Sequence, residues 1–170
     1  RRVLFRSIDP NTCDVQVRFN HQSVQIYQGV DRAGGVIGAG DQGLMFGYAC
    51  DDTPQLLPYP IWLAHRLVER QAALRKSGEV SWLRPDAKSQ VSAIYEGDRV
   101  VGVDTVVFST QHAQGIDQEI VRKTVLHEIV EPLVPQVLRA QNFRVLVNPT
   151  GCFEIGGPNG DTGLTGRKII

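Results

Sequence analysis

Residues 87–110 place the tightest limit on what this chain can fold into. Ala87 to Tyr95 and Arg99 to Thr110 are rich in β-branched and apolar residues, with Glu96-Gly97-Asp98 between them. A glycine flanked by acidic residues between two such runs predicts a hairpin turn, so the two strands pair antiparallel. Along the second strand Val101, Val103, Thr105 and Val107 point one way, and Val100, Gly102, Asp104 and Val106 point the other. An isolated hairpin is marginal in water, so something must cover it. Residues 61–76 supply one cover. Leu63, Leu67 and Leu74, with Ile61, Ala64 and Val68, fall at helical spacing, and Ser77-Gly78 stops the helix. Asp117 caps a second helix, with Glu119 and Ile120 behind it. Val121, Val125, Ile129 and Leu133 follow at i+4 steps, and Pro132 and Pro135 close it. Phe143 to Val147 is a last strand, ended by Asn148-Pro149.

Upstream the pattern is less regular. Cys13, Val15, Val17 and Phe19 alternate with polar neighbours, which predicts a strand within residues 10–22. Residues 21–35 are polar and glycine-rich and read as a mobile loop. Gly38-Ala39-Gly40-Asp41-Gln42-Gly43 then leads into Leu44 to Cys50, a short glycine-bounded apolar run that reads as a buried strand, ended by Asp51-Asp52-Thr53-Pro54. The order of strand, helix, two strands, helix and strand predicts an α+β fold: a mostly antiparallel sheet with helices on one face.

Charge narrows the function. Lys+Arg and Asp+Glu are both 18 in this 170-residue chain, so no global field favours nucleic acid or an anionic membrane. Anion binding must be local. No apolar run approaches the roughly 20 residues that span a bilayer, and the opening residues do not read as a signal peptide. Cys13, Cys50 and Cys152 are odd in number, far apart and without metal spacing, which points to a reducing cytosol. His21, His65, His112 and His127 show no zinc-ligand spacing either, and His65 and His127 read as residues on helix surfaces or core edges. Cys152 has no base beside it in sequence and is not read as a nucleophile.

Several motifs carry chemistry. Residues 156–168 hold five glycines in thirteen positions, with Asp161 and the pair Arg167-Lys168 among them. Glycine amides line anion sites, Arg grips two oxygens, Lys adds a point charge, and Asp can help hold a metal, so the mix suits a polyphosphate. A flexible linker with a basic end is the plainer reading. In Trp82-Leu83-Arg84-Pro85-Asp86-Ala87-Lys88-Ser89-Gln90, Asp86 and Lys88 lie two apart, on one face of an extended strand. Such a pair can hold a nucleotide or form a surface salt bridge.

Together these segments resemble S-adenosylmethionine synthetase (methionine adenosyltransferase) over about residues 8–170. The carriers are residues 156–168, Trp82 to Gln90, Gly38-Ala39-Gly40-Asp41-Gln42-Gly43-Leu44-Met45-Phe46-Gly47-Tyr48-Ala49, Gln22-Ser23 with Gln28-Gly29-Val30-Asp31-Arg32, and Asn148-Pro149-Thr150-Gly151-Cys152-Phe153. The resemblance implies a subunit of three similar α/β domains. Residues 8–30 would be the tail of the first, with a gating loop; 31–148 the central domain; and 149–170 the start of the third. It implies attack of methionine sulfur on the 5′ carbon of ATP, with the triphosphate then cleaved to phosphate and diphosphate.

The implied catalytic residues are Lys88, Asp161, Arg167 and Lys168. ATP would meet Asp86, Ala87, Lys88, Phe153, Asp161, Arg167 and Lys168. Methionine would meet Gln22 and Asp161, and Asp41 would reach the active site across a dimer interface. The family works in the cytoplasm as a dimer of dimers with Mg2+ and K+, whose ligands are expected outside this stretch. Its His-Pro-Asp-Lys motif, potassium-binding acid and later glycine-rich lysine loop do not occur in the sequence, so these 170 residues alone are expected to make no S-adenosylmethionine.

Two departures matter. An arginine normally stands where Cys152 does, and Val24-Gln25 and Tyr27 replace the commoner Pro-Asp and Asn. They keep a second reading open: a non-catalytic nucleotide-binding or interaction subunit. Arg1 to Ser7 match nothing in the family. They back-translate onto a sequencing-library adapter and are expected to be non-native read-through.

Overall fold

The computed structural model describes residues 14–21, 23–38 and 46–160. They fall into two units. The smaller, within residues 14–47, holds helix α1 (Val24–Val30) and a minimal antiparallel pair, β1 (Asp31–Arg32) with β2 (Val36–Ile37). Gly34 and Gly35 make the turn at φ 85° and 74°, a region that L side chains avoid. The loop expected over residues 21–35 is therefore a short helix and a hairpin. The strand expected over 10–22 is absent from its described part, 14–21, where Val15, Val17 and Phe19 are exposed. Alternation makes a strand only where a partner accepts its ladder, and none pairs with this segment among the described residues.

The larger unit, from Tyr48 onward, begins with α2 (Tyr59–Ser77). Pro60 sits in its first turn, where a missing N–H costs nothing. Gly78 ends it at φ 81°, its N–H reaching Arg75 O. The hairpin follows as β3 (Leu83–Glu96) and β4 (Arg99–His112), with Glu96 opposite Arg99 and Gly97 at φ 60° in the turn. Asp117 then accepts the Glu119 N–H at 2.7 Å and starts α3 (Gln118–Thr124). The helix loosens into a π-helical turn over Val125–Val130, passes a 3-10 turn at Gln136–Leu138, and returns as β5 (Arg139–Val147). The sheet order is β3-β4-β5, with the first pair antiparallel and the second parallel. The α+β class holds.

Leu63, Leu67 and Leu74 of α2 and Val121, Val125 and Ile129 of α3 and its extension are buried in one core with Val106 and Phe108 of β4. Ser89 Oγ donates to Ala64 O at 2.6 Å, tying helix to strand, and Arg70 Nε donates to Glu128 O at 3.0 Å, tying the helices. Strict alternation along β4 fails. Ser92 pairs with Thr105 but Ala93 with Val103, leaving Asp104 as a bulge. A bulge changes the parity of the strand, so Val103 as well as Val106 and Phe108 is fully buried.

The buried strand expected at Leu44 to Cys50 does not form in its described part. Residues 46–50 lie outside every strand, and Phe46 and Tyr48 are exposed. No helix among the described residues is long and apolar enough to cross a membrane.

Candidate functional site

The signal at Trp82 to Gln90 takes its shape from a bulge. Leu83 pairs with His112 and Ala87 with Thr110, so Arg84, Pro85 and Asp86 oppose Gln111 alone. Pro85 has no N–H to give a ladder and suits such a place. The bulge leaves Arg84 O without a strand partner. Gln71, buried on α2, donates to it at 2.7 Å and to Thr110 Oγ1 at 3.1 Å.

Asp86, displaced by the bulge, accepts the Gly157 N–H on Oδ2 at 2.7 Å. Lys88 lies past the bulge in the regular ladder opposite Ser109. It is exposed, and among the described residues it has no partner. The two residues form no salt bridge with each other. Ala87 is half-buried against the core.

Gly157 belongs to a strap, residues 148–157, stitched along the end of the β3–β4 pair. Asn148 turns the chain at φ 42°, a conformation Asn tolerates better than most residues. Its side chain accepts the Thr110 N–H at 2.8 Å and donates to Thr110 O at 3.2 Å. His112 N donates to Phe153 O at 3.0 Å, Phe153 N donates to His112 Nε2 at 3.1 Å, and Gln111 Nε2 donates to Glu154 O at 3.1 Å. Gly156 passes so close that a Cβ there would lie 2.9 Å from Asp86 and from Gln111.

His112 is 1% exposed. Ala113 O, 2.9 Å from Nδ1, can only accept, and the Phe153 N–H can only donate. These partners put a ring proton on Nδ1 and the lone pair on Nε2, facing the strap. Cys152 Sγ lies 3.9 Å from Nε2. Partial desolvation, then the Glu154 carboxylate, push the Cys152 thiol up from its ordinary pKa.

Of the residues the sequence singled out, Asp86, Ala87, Lys88 and Phe153 are described. Asp86 is held to Gly157, and Phe153 is paired through its backbone with His112 at the end of the neighbouring strand. Gln22, Asp41, Asp161, Arg167 and Lys168 lie outside the described residues. Sequence reasoning missed the buried polar set of Gln71, Thr110, Gln111, His112 and Asn148. One trace was available: Thr110-Gln111-His112, a polar triplet closing an apolar strand, needs hydrogen-bond partners if buried.

A family model, the central domain of S-adenosylmethionine synthetase, matches residues 36–153. The chain belongs to the S-adenosylmethionine synthetase family. The matched stretch runs from β2 to Phe153 and so takes in the core, the bulge with Asp86, and the first half of the strap.

The Mg2+ and K+ that the family implies call for oxygen ligands. The one close grouping of three or more His, Cys, Asp and Glu ligand atoms among the described residues is His112, Cys152 and Glu154, whose imidazole and thiol do not fit those ions.

Proposed function

We propose that this chain is the central part of a methionine adenosyltransferase subunit, which joins ATP and L-methionine into S-adenosylmethionine and releases phosphate and diphosphate. The family match supports it. The observation that carries it to a site is Lys88, an exposed cation without a partner among the described residues, two residues beyond an aspartate that anchors a glycine turn. An exposed lysine close in sequence to such an aspartate suits phosphate oxygens.

In this reading methionine sulfur attacks the 5′ carbon of ATP. A sulfur–carbon bond forms, the carbon–oxygen bond breaks, and the triphosphate leaves with the electron pair. Water then cleaves the triphosphate. Thioether sulfur is nucleophilic at neutral pH, so no general base is needed for the first step. Negative charge gathers on the leaving group, and fixed cations act on it there. Lys88, Arg167 and Lys168 take that role. Phe153 packs on the adenine, Asp86 orders the glycine turn beneath the nucleotide, and Gln22 and Asp161 hold methionine. Mg2+ would screen the phosphates, with its ligands and those of K+ supplied from outside this stretch of chain.

The reading also takes residues 8–30, 31–148 and 149–170 as parts of three domains. It places the enzyme in the cytoplasm as a dimer of dimers, with Asp41 serving the neighbouring subunit.

The test is S-adenosylmethionine formation by the subunit encoded by the parent gene, with and without Lys88→Ala. Product from the parent, with kcat reduced at least about a hundredfold in the variant, is expected if Lys88 stabilises the leaving group. An unchanged kcat would remove Lys88 from the mechanism. A parent that binds ATP but never forms product would favour the second reading, a non-catalytic nucleotide-binding subunit. The exposed, uncharged Cys152 beside Phe153 is the observation on that side.

A further inference from the structure

Three ligand atoms meet at the head of the strap. His112 Nε2, Cys152 Sγ and a Glu154 carboxylate oxygen all lie within 4.8 Å of one another. Their arrangement follows from backbone pairing. Phe153 is stitched to His112 through both its N–H and its carbonyl, so Cys152 and Glu154 flank the imidazole on either side of that register. We propose that His112, Cys152 and Glu154 form a binding site for a borderline-soft divalent cation of the zinc class, with one position left for water or an anion.

Three features support it. A tetrahedral zinc ion with ordinary bond lengths sets nitrogen and sulfur ligands about 3.5 Å apart. The Cys152–His112 separation is already 3.9 Å, and no pair of the three is more than 4.8 Å apart, so the carboxylate needs to close by about 1.3 Å at most. The imidazole is in the right tautomer: Nδ1–H is spent on the Ala113 carbonyl, which orients the ring and leaves Nε2 as the ligand atom, as metal-bound histidines are commonly held. The donor set of sulfur, imidazole and one carboxylate selects zinc-class ions and passes over magnesium and calcium.

The site has a cost. The Nε2 lone pair now receives both the Phe153 N–H at 3.1 Å and the Gln118 side-chain amide at 2.9 Å. One lone pair cannot serve two donors well, and a metal takes it from both. Glu154 also accepts the Gly115 N–H on Oε1 at 2.9 Å, which leaves its other oxygen for the ion. On binding, Cys152 loses its thiol proton to solvent and the thiolate sulfur gives a lone pair to the metal. No electron is transferred. The sequence carried no sign of this, because His112 and Cys152 are 40 residues apart.

Cobalt(II) is the probe, because a thiolate ligand gives it a charge-transfer absorption in the near ultraviolet. The reduced, metal-free 170-residue chain is titrated with Co2+, then with Zn2+. The expected result is a saturable band at one ion per chain, erased by Zn2+ and untouched by excess Mg2+. Cys152→Ser abolishes the band, Cys50→Ser leaves it, and Glu154→Gln weakens Co2+ affinity about tenfold or more. Cys152 is exposed, so its serine variant is expected to fold, and circular dichroism checks that. No band with Co2+ in excess, or a band that persists in folded Cys152→Ser, overturns the site. This outcome does not depend on whether the parent subunit makes S-adenosylmethionine.

Discussion

The body of the larger unit and the strap that leaves it are built on different physics. From α2 to β5, apolar side chains do the holding: Leu63, Leu67, Phe108, Val121, Val125 and Ile129 are fully buried in one core. From Asn148 to Gly157 the chain has no regular element until the short 3-10 turn at Gly157–Asn159; the Asn148 side chain grips the Thr110 backbone, and Gln111, His112 and Asp86 side chains grip the strap's backbone. Apolar burial is non-directional and adds up over many contacts. The strap depends on a few directional bonds, each worth only about 1 kcal/mol net unless a charge takes part. The body should therefore fail all at once, and the strap should detach while the body stands.

The largest effect tests the body. Phe108→Ala removes a fully buried ring and should cost about 3–5 kcal/mol, seen as a lower midpoint in urea denaturation. A loss below about 1 kcal/mol would mean that the core is not what holds this unit together.

Gly156→Ala tests the strap next. The glycine is extended, at φ −136° and ψ −174°, so any strain is from contact and not from the backbone angle. The new methyl meets Asp86 and Gln111, and overpacking should cost about 1–3 kcal/mol locally. Amide exchange at Phe153 and Gly157 should speed up far more than at Val106. Equal acceleration at all three would erase the distinction between the two regions.

Asp86→Ala takes away one bond without adding bulk. Its acceptor is a half-buried carboxylate, so the cost is expected at about 1.5 kcal/mol, the low end for a bond to a charged group, felt as faster exchange at Gly157. Asp86→Asn keeps an acceptor and should recover most of that protection. If neither variant changes exchange at Gly157, the bond is not what seats the strap.

The smallest effect lies at the edge of the body. Asp52 Oδ2 accepts the Tyr59 N–H at 3.0 Å and the Tyr95 hydroxyl at 2.7 Å. The first bond, then the second, hold its carboxyl below the usual aspartate range. Tyr95 is pushed up to about 12, by desolvation first and then by Asp52. A folded pKa lower than the unfolded one stabilises above the unfolded value, about pH 4, and that stability is lost as pH falls through the folded value. Asp52→Asn should therefore lower the urea midpoint slightly at about pH 7, and the difference from the parent should shrink at about pH 3. A difference that grows on acidification would show the sign to be wrong.

Helix α2 was legible because its apolar positions repeat at 3.6 residues and Ser77-Gly78 stops it. The observed helix, Tyr59–Ser77, adds only Tyr59 and Pro60 at its start and Ser77 at its end. The hairpin was legible from Gly97 between two β-rich runs. Asp117 was legible as a cap from its place ahead of Val121 and Val125. The upstream strands do not form in their described parts, because apolar composition says nothing about whether a partner stands alongside. Val15, Val17, Phe19 and Phe46 are apolar and exposed. Within the candidate site, Asp86 and Lys88 could be named from Trp82 to Gln90, but the bulge that aims Asp86 at Gly157 could not.

The amino-acid order by itself determined the α+β class, the two helices with their caps, the hairpin turn and the family. Each of these rests on residues close together in the chain, where steric preference and period leave a mark. Only the tertiary structure decided that Gln71 would satisfy the Arg84 carbonyl, that Asn148 would clasp Thr110, and that His112 would face Cys152 and Glu154. Those contacts join residues 13 to 42 positions apart. A buried polar group takes whichever partner the packed backbone brings within about 3 Å, and no local pattern records that choice.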